Sequence, residues 1–469
     1  MTQFLHQDFL LDTEEARRLY HDVAADLPIV DYHNHLPPAE VAQDHAWDNL
    51  GDLWLSHDHY KWRVMRWAGV PESHITGNAT HRKKFDAFAR ILPKTLGNPM
   101  YHWSHLELWR YFGLDGQLLN ADSAEDIWQA TQEKLASPEF RAQGLLKRMK
   151  VELIGTTDDP LDSLEHHQTF SASAQSADLK MVPTFRPDRA MAIEAEGFHS
   201  YLEQLEALTS QPIVTFDDLI KALLQRLEHF TAHGCRAADH GIGQLTQAEE
   251  LSSAQLDKIL QAGRQGKALT STDAESFRMA LLLELGRAYA RADIVMQLHI
   301  GPLRNNSSRI LTHVGRDSGA DSMQDLPLAA PLNHILDRMD RTDELPRTIL
   351  YALDPSKNPV IVTTAGNFQG GGVAGKVQAG TAWWFNDQLD GMEDQMNQLA
   401  QMGLLSTFTG MLTDSRSFLS FPRHEYFRRL VCRIVGRWVA DGLAPQDQEL
   451  LDGMIADICY HNARRWFIS

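Results

Sequence analysis

The chain has 469 residues, of which 43% are apolar and 23% charged, and its formal net charge is −18. These proportions are typical of a globular protein, and no apolar run is long enough to span a bilayer. Nucleic acid and anionic membranes are disfavoured as partners, because both would require clustered Lys and Arg. If the substrate is an acid, its pocket must therefore be locally basic.

The three cysteines, Cys235, Cys432 and Cys459, lie far apart in the sequence and are odd in number. This usage favours reduced thiols and therefore predicts a cytoplasmic protein. The first residues lack a basic segment followed by a long apolar one, so they predict no export signal.

The first predicted strand begins at Ile29 and runs into His33 and His35 before two prolines stop it. Side chains alternate along a strand, so these two histidines would face the same side, about 7 Å apart, and could share one metal ion. The alternative is two histidines that are close by chance. The segment 39–110 that follows has apolar residues at helical spacing, which predicts a helical insertion that walls one side of a pocket.

From residue 150 onward, apolar β-branched runs end in polar residues and alternate with helical stretches. These predicted strands, with their polar ends, are 151–160, 181–188, 235–241, 294–301, 348–355 and 408–416, and 106–112 is a weaker candidate. With the first strand they make eight, which predicts a (β/α)8 barrel whose chemistry gathers at the carboxyl ends of the strands. Residues 242–270 predict a helical excursion between strands five and six. We therefore expect one elaborated domain over 1–469.

Asp414 ends the eighth predicted strand, which neighbours the first strand in a closed barrel. His33, His35 and Asp414 would together hold a divalent metal ion and leave positions for water or substrate. The alternative for Asp414 alone is a helix N-cap. His240 and His299 end strands five and six, and each could be a ligand, a substrate contact or a histidine that is satisfied behind the site.

Two arginines follow strand ends and would bring positive charge to the same end of the barrel. Arg186 ends strand four, and Arg416 lies two residues beyond Asp414. The arginine fork suits a carboxylate, although each side chain could instead be ion-paired or lie at the surface. The stretch 59–63 adds the imidazole of His59 and the phenol of Tyr60, which a loop could carry over the barrel mouth.

A glycine-rich run, GGGVAGK at 370–376, matches the first seven positions of a phosphate-binding P-loop. The next residue is Val377, which has no hydroxyl for magnesium, and no clear strand leads directly into the glycines. We therefore expect a mobile loop and no nucleotide site. The neighbouring Trp383 and Trp384 could face a sugar ring or form part of a lid.

Motifs spread over nearly the whole chain resemble, in their order, those of the uronate isomerase family in the amidohydrolase superfamily. They are DYHNHLPP (31–38), HYKWR (59–63), GTTDDP (155–160), FRPD (185–188), HIG (299–301), GTAWWFND (380–387), LTDSRS (412–417) and RHEYFRR (423–429). The resemblance implies interconversion of D-glucuronate with D-fructuronate, and of D-galacturonate with D-tagaturonate. The proton would move between C2 and C1 through a cis-enediol. It also implies a cytoplasmic enzyme with one divalent metal, commonly zinc.

The resemblance implies a role for each candidate residue. The metal ligands would be His33, His35 and Asp414, and the substrate contacts would be Arg186, His299, Trp383 and Trp384. Tyr60 would take and return the carbon-bound proton, with its pKa lowered by a guanidinium such as that of Arg416. Asp414 would also carry a hydroxyl proton, and His59 would orient sugar oxygens. The metal, zinc, manganese or iron, would either polarise the carbonyl or anchor the carboxylate.

A metal-dependent hydrolase of the amidohydrolase type is the alternative enzyme. There, a lysine or glutamate on strand four often helps to bind a second metal, whereas Arg186 cannot act as such a ligand. A sugar-acid sensor is the alternative from another class, although Tyr60, Asp414 and Arg416 are more reactive than binding alone requires. A chain of this size with many helices could also form a homo-oligomer.

Overall fold

The structure, a computed structural model, describes residues 4–248 and 250–468. Its strands are β1 (Ile29–Asp31), β2 (Val151–Gly155), β3 (Lys180–Val182), β4 (Thr184–Phe185), β5 (Ala237–Ile242), β6 (Val295–Ile300), β7 (Pro302–Leu303), β8 (Ser322–Met323), β9 (Thr348–Ala352) and β10 (Val377–Ala379). They form parallel sheets of order β1-β2-β3 and β10-β9-β6-β5-β4, and an antiparallel pair of β7 and β8. Parallel strands connected by helices make this an α/β fold.

Helices connect the strands and cover the sheets. They are α1 (Glu14–Arg18), α2 (Pro38–Ala42), α3 (Leu50–Leu55), α4 (His59–Trp67), α5 (His81–Ile91), α6 (Pro99–Phe112), α7 (Ala124–Leu135), α8 (Ala142–Arg148), α9 (Glu165–Ser171), α10 (Asp188–Met191), α11 (Phe198–Thr209), α12 (Phe216–Ala232), α13 (Ser253–Arg264), α14 (Ser271–Arg291), α15 (Ser308–His313), α16 (Ala329–Asp340), α17 (Asn358–Asn367), α18 (Leu389–Met402), α19 (Pro422–Ala440), α20 (Gln448–Ala456) and α21 (Asn462–Phe467). Two π-helical turns lie at Leu19–Ala24 and Asp457–His461. Across the described ranges, no helix is both long and apolar enough to cross a membrane.

One short segment joins the two parallel sheets, because only Pro183 separates β3 from β4. β3 pairs with β2 and β4 pairs with β5, and a bridge between Asp158 and Phe185 lies beside the junction. All pairings within these two sheets are parallel. The carboxyl ends of the strands, and the polar residues that follow them, therefore lie at one end of the fold.

The predicted eighth strand, at 408–416, is not part of a sheet. Its backbone nevertheless contacts the residues after β1: Asp414 N donates to His33 O at 3.2 Å, and His35 N donates to Ser415 O at 2.9 Å. Gly410 (φ 78) and Asp414 (φ 46) have positive φ angles, which interrupt a regular strand. The segment therefore lies beside the end of β1 without forming a strand ladder.

The predicted strand at 106–112 is wrong, because these residues form the end of α6. Asn98 caps this helix and Gly113, in the left-handed conformation, ends it. Helices continue beyond residue 110 to α8, so the regular elements between β1 and β2 are all helices. The predicted excursion at 242–270 contains α13, and α14 then leads to β6.

A strand that the sequence analysis did not predict, β10, follows the glycine-rich run directly. β10 pairs in parallel with β9. The run at 370–376 thus connects a helix, α17, to a strand. A P-loop has the opposite order, with its glycines between a strand and a helix. The run therefore lacks the helix N-terminus on which a P-loop holds phosphate.

Side chains from several strands meet in one apolar cluster inside the fold. Its members include Val30, Leu153, Ala237, Val295, Ile349 and Leu412, from β1, β2, β5, β6, β9 and the 408–416 segment. A larger cluster packs helices against the sheets, and a third joins the helices between β1 and β2 to β1–β3. The site described below lies at the carboxyl end of the innermost cluster.

Candidate active site

A cavity of about 340 Å³ lies at the carboxyl ends of the parallel strands. It is lined by His33, His35, His59, Thr157, Arg186, His299, Arg304, Asn305, Arg316, Asp317, Asp321, Trp383, Trp384, Asp414 and Arg416. This lining includes all the predicted site residues except Tyr60, which lines an adjacent, larger cavity together with Trp384. The volume is within the range of small-molecule sites.

His33, His35 and Asp414 meet at the cavity wall. Asp414 Oδ1 lies 3.3 Å from His33 Nε2 and 3.0 Å from His35 Nε2. The potential ligand atoms of the three residues all lie within 4.8 Å of one another. Two imidazoles and one carboxylate are a donor set for a divalent transition metal such as zinc, with coordination positions left for other ligands. The predicted ligands are therefore placed together and fit one ion.

Burial and mutual contact set the protonation of this triad. Burial lowers the pKa of His35 to about 4, which favours the neutral imidazole that a metal requires. Burial also opposes charge on His33, but the carboxylates of Asp239 and Asp414 raise its pKa above the ordinary value. The pKa of Asp414 lies well below its usual range because hydrogen bonds from both histidines outweigh the effect of burial. Asp414 is thus an ionised carboxylate that faces two imidazole nitrogens. A divalent cation could bind all three groups in place of the protons that now connect them.

A second cluster, formed by His33, Asp239 and His299, lies deeper in the fold. His299 Nδ1 donates to Asp239 Oδ1 at 2.6 Å, and Arg186 Nη1 lies 2.9 Å from Asp239 Oδ2. Arg186 Nε also donates to Asp188 at 2.8 Å. Although burial opposes it, the Arg186 guanidinium holds the pKa of Asp239 well below its usual range. Arg186 therefore lines the cavity as an ion-paired side chain.

Asp239 and His240 occupy neighbouring positions on β5 but have different surroundings. Asp239 was not predicted as a site residue from the sequence, because the adjacent His240 is the more usual type of metal ligand. His240 is completely buried, its Nε2 lies 3.1 Å from the hydroxyl of Tyr289, and it does not line the cavity. Of the two histidines left open by the sequence, His299 thus lies at the cavity and His240 lies behind it.

Tyr60 lies in the first turn of α4, and not on a loop. Its ring stacks on His59 with centroids 4.8 Å apart, and the Arg423 guanidinium lies 5.3 Å from its centre. Burial raises the pKa of Tyr60 well above the ordinary value, and Asp414 raises it further, while Arg423 opposes both. The prediction that Arg416 lowers this pKa is wrong, because burial dominates and the facing guanidinium is that of Arg423.

Arg416 instead contacts a segment, 301–325, that the sequence analysis did not single out. Its Nη2 lies 3.3 Å from Asp317 Oδ2, and Arg304 Nη1 lies 3.5 Å from the other oxygen of the same carboxylate. Arg304 also lies over the ring of Trp384, at 5.2 Å. With Arg316, three arginines thus line the mouth of the cavity. Arg304 and Arg316 were not predicted, because the segment 301–325 has no apolar periodicity that would have drawn attention to it.

The two tryptophans of the 380–387 motif connect the cavity wall to the triad. Trp383 Nε1 donates to Asp414 Oδ2 at 2.7 Å, and its ring meets His299 edge-on at 4.7 Å. Trp384 meets the ring of His59 at 5.7 Å. Burial, followed by the charge of Arg416, lowers the pKa of His59 to about 4. Trp383 therefore helps to orient the carboxylate, while His59 presents a neutral imidazole to the cavity.

Comparisons with known proteins agree over the full chain. The family model described as glucuronate isomerase matches residues 1–467. The chain is 53% identical to a uronate isomerase of Photorhabdus laumondii (100% of this chain, 98% of the relative) and 54% identical to one of Vibrio vulnificus (100% and 99%).

Solved structures show the same similarity in three dimensions. A uronate isomerase from Thermotoga maritima superposes with a TM-score of 0.93 at 35% identity, covering 100% of each chain. A glucuronate isomerase from Caulobacter crescentus superposes with a TM-score of 0.91 at 26% identity, covering 99% of this chain and 97% of that one. The hydrolase alternative is not favoured by these matches. The chain belongs to the glucuronate isomerase family.

Proposed function

We propose that this protein is a uronate isomerase that interconverts D-glucuronate with D-fructuronate and D-galacturonate with D-tagaturonate. The observation that carries the proposal is the juxtaposition, on one cavity of about 340 Å³, of a His-His-Asp triad and four arginines, Arg186, Arg304, Arg316 and Arg416. A sugar acid offers hydroxyl and carbonyl oxygens to a metal site and a carboxylate to the guanidiniums. It also explains why arginines line the mouth of a cavity in a chain of charge −18.

His33, His35 and Asp414 would hold one divalent ion, for which zinc suits the donor set well. When bound, the ion would supply positive charge to substrate oxygens, either at the carboxylate with its neighbouring hydroxyl or at the carbonyl. We favour the carboxylate, because protein groups are available for both proton transfers. Trp383 would keep Asp414 oriented through its hydrogen bond.

Isomerisation requires one proton to move from C2 to C1 and another to move from O2 to O1. Tyr60 would take the first from C2 and return it to C1 on the same face of a cis-enediol. Asp414 would carry the hydroxyl proton, and His59 and Arg186 would orient sugar oxygens. Because the pKa of Tyr60 is raised, the free enzyme holds a phenol there, and this phenol would have to lose its proton to solvent before the resulting phenolate could take the proton from C2. Neutralising the charge of Asp414 would remove the second cause of that rise, so that Arg423, which favours the phenolate, would be opposed mainly by burial.

For the fold, we propose a closed (β/α)8 barrel in which the 408–416 segment takes the place of the eighth strand. The hydrogen bonds between this segment and the residues after β1 support closure, as does Leu412 in the innermost apolar cluster. The chain would then be one domain over 1–469, with the helices between β1 and β2 as its elaboration. Its free cysteines support a cytoplasmic location.

Incubation with D-glucuronate in deuterated water, followed by NMR, tests the activity directly. We expect ketose signals that grow with time and stop when a chelator removes the metal. Absence of ketose, together with hydrolysis of a lactone or amide panel, would favour the hydrolase. Uronate binding with neither reaction would favour a sensor.

A further inference from the structure

Asp31, the last residue of β1, is completely buried and has no role in the proposed chemistry. Each of its oxygens accepts two hydrogen bonds. Oδ1 accepts from Thr413 N at 2.7 Å and His424 Nε2 at 3.1 Å, and Oδ2 accepts from Thr413 Oγ1 at 2.7 Å and Asn34 Nδ2 at 2.9 Å. Four polar groups from three residues thus converge on the two oxygens of this side chain.

Three of the four donors belong to Asn34 and Thr413, which are next to the candidate metal ligands in the chain. Asn34 separates His33 from His35 in the chain, and its Oδ1 accepts from Leu36 N at 3.2 Å, which fixes the amide in one orientation. Thr413 immediately precedes Asp414. A single carboxylate is therefore bonded to both segments that supply ligands, one at the end of β1 and the other far along the chain.

Asp414 itself has a backbone conformation that needs support. Its φ of 46 lies in the left-handed region, which is unfavourable for a residue other than glycine, and such a conformation persists only where its surroundings enforce it. All polar atoms of the preceding Thr413 are engaged, since Arg423 Nη1 donates to its carbonyl oxygen at 3.2 Å while Asp31 accepts from the other two. The peptide that leads into Asp414 is thus held from both sides.

We infer that Asp31 is a positioning residue that sets the spacing of the metal triad. Through Asn34 it orients the two histidines, and through Thr413 it holds Asp414 against them, so metal affinity depends on a carboxylate that does not contact the ion. The inference rests on the proposed metal site. Replacing a residue that holds metal ligands in place through hydrogen bonds commonly lowers metal affinity by about 10- to 100-fold.

Competition with a chelating dye for Zn²⁺ would measure this dependence, on metal-free proteins at a temperature where each is folded. We expect Asp31→Asn to weaken Zn²⁺ binding by about 10- to 100-fold. The substitution replaces one carboxylate oxygen with an NH₂ group, which cannot accept the two hydrogen bonds that this oxygen accepts in the parent. Thr413→Val, which removes one donor, should weaken binding by about tenfold, whereas Thr413→Ser, which keeps the hydroxyl, should bind like the parent.

Asp158→Asn is the matched control. Asp158 is another buried carboxylate near the strand ends, but its hydrogen bonds come from Thr156 and from the backbone of Thr184. The Asp158→Asn substitution should therefore leave the Zn²⁺ affinity unchanged.

The outcomes separate the inference from the proposal beneath it. If the parent protein binds no Zn²⁺, the proposed metal site is wrong and the inference falls with it. If the parent binds Zn²⁺ and Asp31→Asn binds it equally well, only the inference is overturned. If Asp31→Asn does not fold, the Val and Ser variants of Thr413 decide, and equal affinity in both would overturn it.

Discussion

Two imidazole and carboxylate clusters share His33, yet they differ in exposure and in charge balance. Asp414 faces the cavity and is contacted by two histidines and an indole, whereas Asp239 is fully buried between His299 and the guanidinium of Arg186. Both carboxylates have a strongly lowered pKa. Asp239, the inner carboxylate, is already paired with the permanent positive charge of Arg186. Asp414, the outer carboxylate, is stabilised by imidazoles that could also bind a metal ion. The comparison explains why one cluster suits an ion and the other suits an internal ion pair.

The largest effect should come from the outer cluster. Asp414→Asn removes both a ligand and the proposed carrier of the hydroxyl proton, so we expect kcat for D-glucuronate to fall by about 10⁴-fold, with the protein still folded by circular dichroism. Steady-state kinetics with added Zn²⁺ measure this loss. Activity within tenfold of the parent would remove Asp414 from the mechanism.

Tyr60→Phe should lower kcat by about 10²- to 10⁴-fold with little change in KM, because the phenol is the proposed carrier of the carbon-bound proton. Tyr101→Phe, in α6 and packed on Phe4 and His105, is the matched control and should retain parental kinetics. Equal rates in the two variants would assign the proton transfer to another group.

Arg186→Met should destabilise the protein by about 3 kcal/mol, because it leaves the buried Asp239 without its cation. Arg416→Met should cost less than about 1 kcal/mol, since its partner Asp317 is exposed. Urea denaturation of the two variants compares the inner and outer ion pairs directly. A smaller loss for Arg186→Met than for Arg416→Met would contradict the charge balance assigned to the inner cluster.

The buried His240, next to Asp239, predicts a pH effect. Burial lowers its pKa to about 4, so between pH 6.5 and 4 the unfolded chain binds a proton that the folded protein excludes. Its contribution to stability is present above pH 6.5 and is lost as the pH falls towards 4, by at most about 3 kcal/mol.

Denaturation of the metal-free protein at several pH values measures that slope. His240→Gln should flatten it, whereas substitution of the exposed His313 on α15 should not. An unchanged slope in His240→Gln would mean that this imidazole does not titrate between the folded and unfolded states as burial implies.

Much of this arrangement was predictable from sequence, because apolar runs that end in polar residues mark the carboxyl ends of parallel strands. His33, His35, Arg186, His299 and Asp414 were found in this way. The strand at 106–112 was predicted wrongly because its aromatic residues favour a strand when read without the helix cap that begins α6. β10 was missed because three residues after a glycine-rich loop carry too little pattern.

The electrostatics were the less predictable part of the site. The pKa of Tyr60 was predicted in the wrong direction because its burial arises from packing between distant segments. Asp239 lies beside a more conspicuous histidine, and Arg304 lies in a segment without regular periodicity. Asp31 belonged to a recognised motif, but its contact with Thr413 joins residues that are far apart in the chain.

Counting bound metal in three proteins tests the central comparison most directly. After saturation with Zn²⁺ and removal of the free ion, the parent and Asp239→Asn should each retain one ion per chain, while Asp414→Asn should retain little. Loss of the ion from Asp239→Asn with retention in Asp414→Asn would contradict the account, because it would place the metal in the inner cluster.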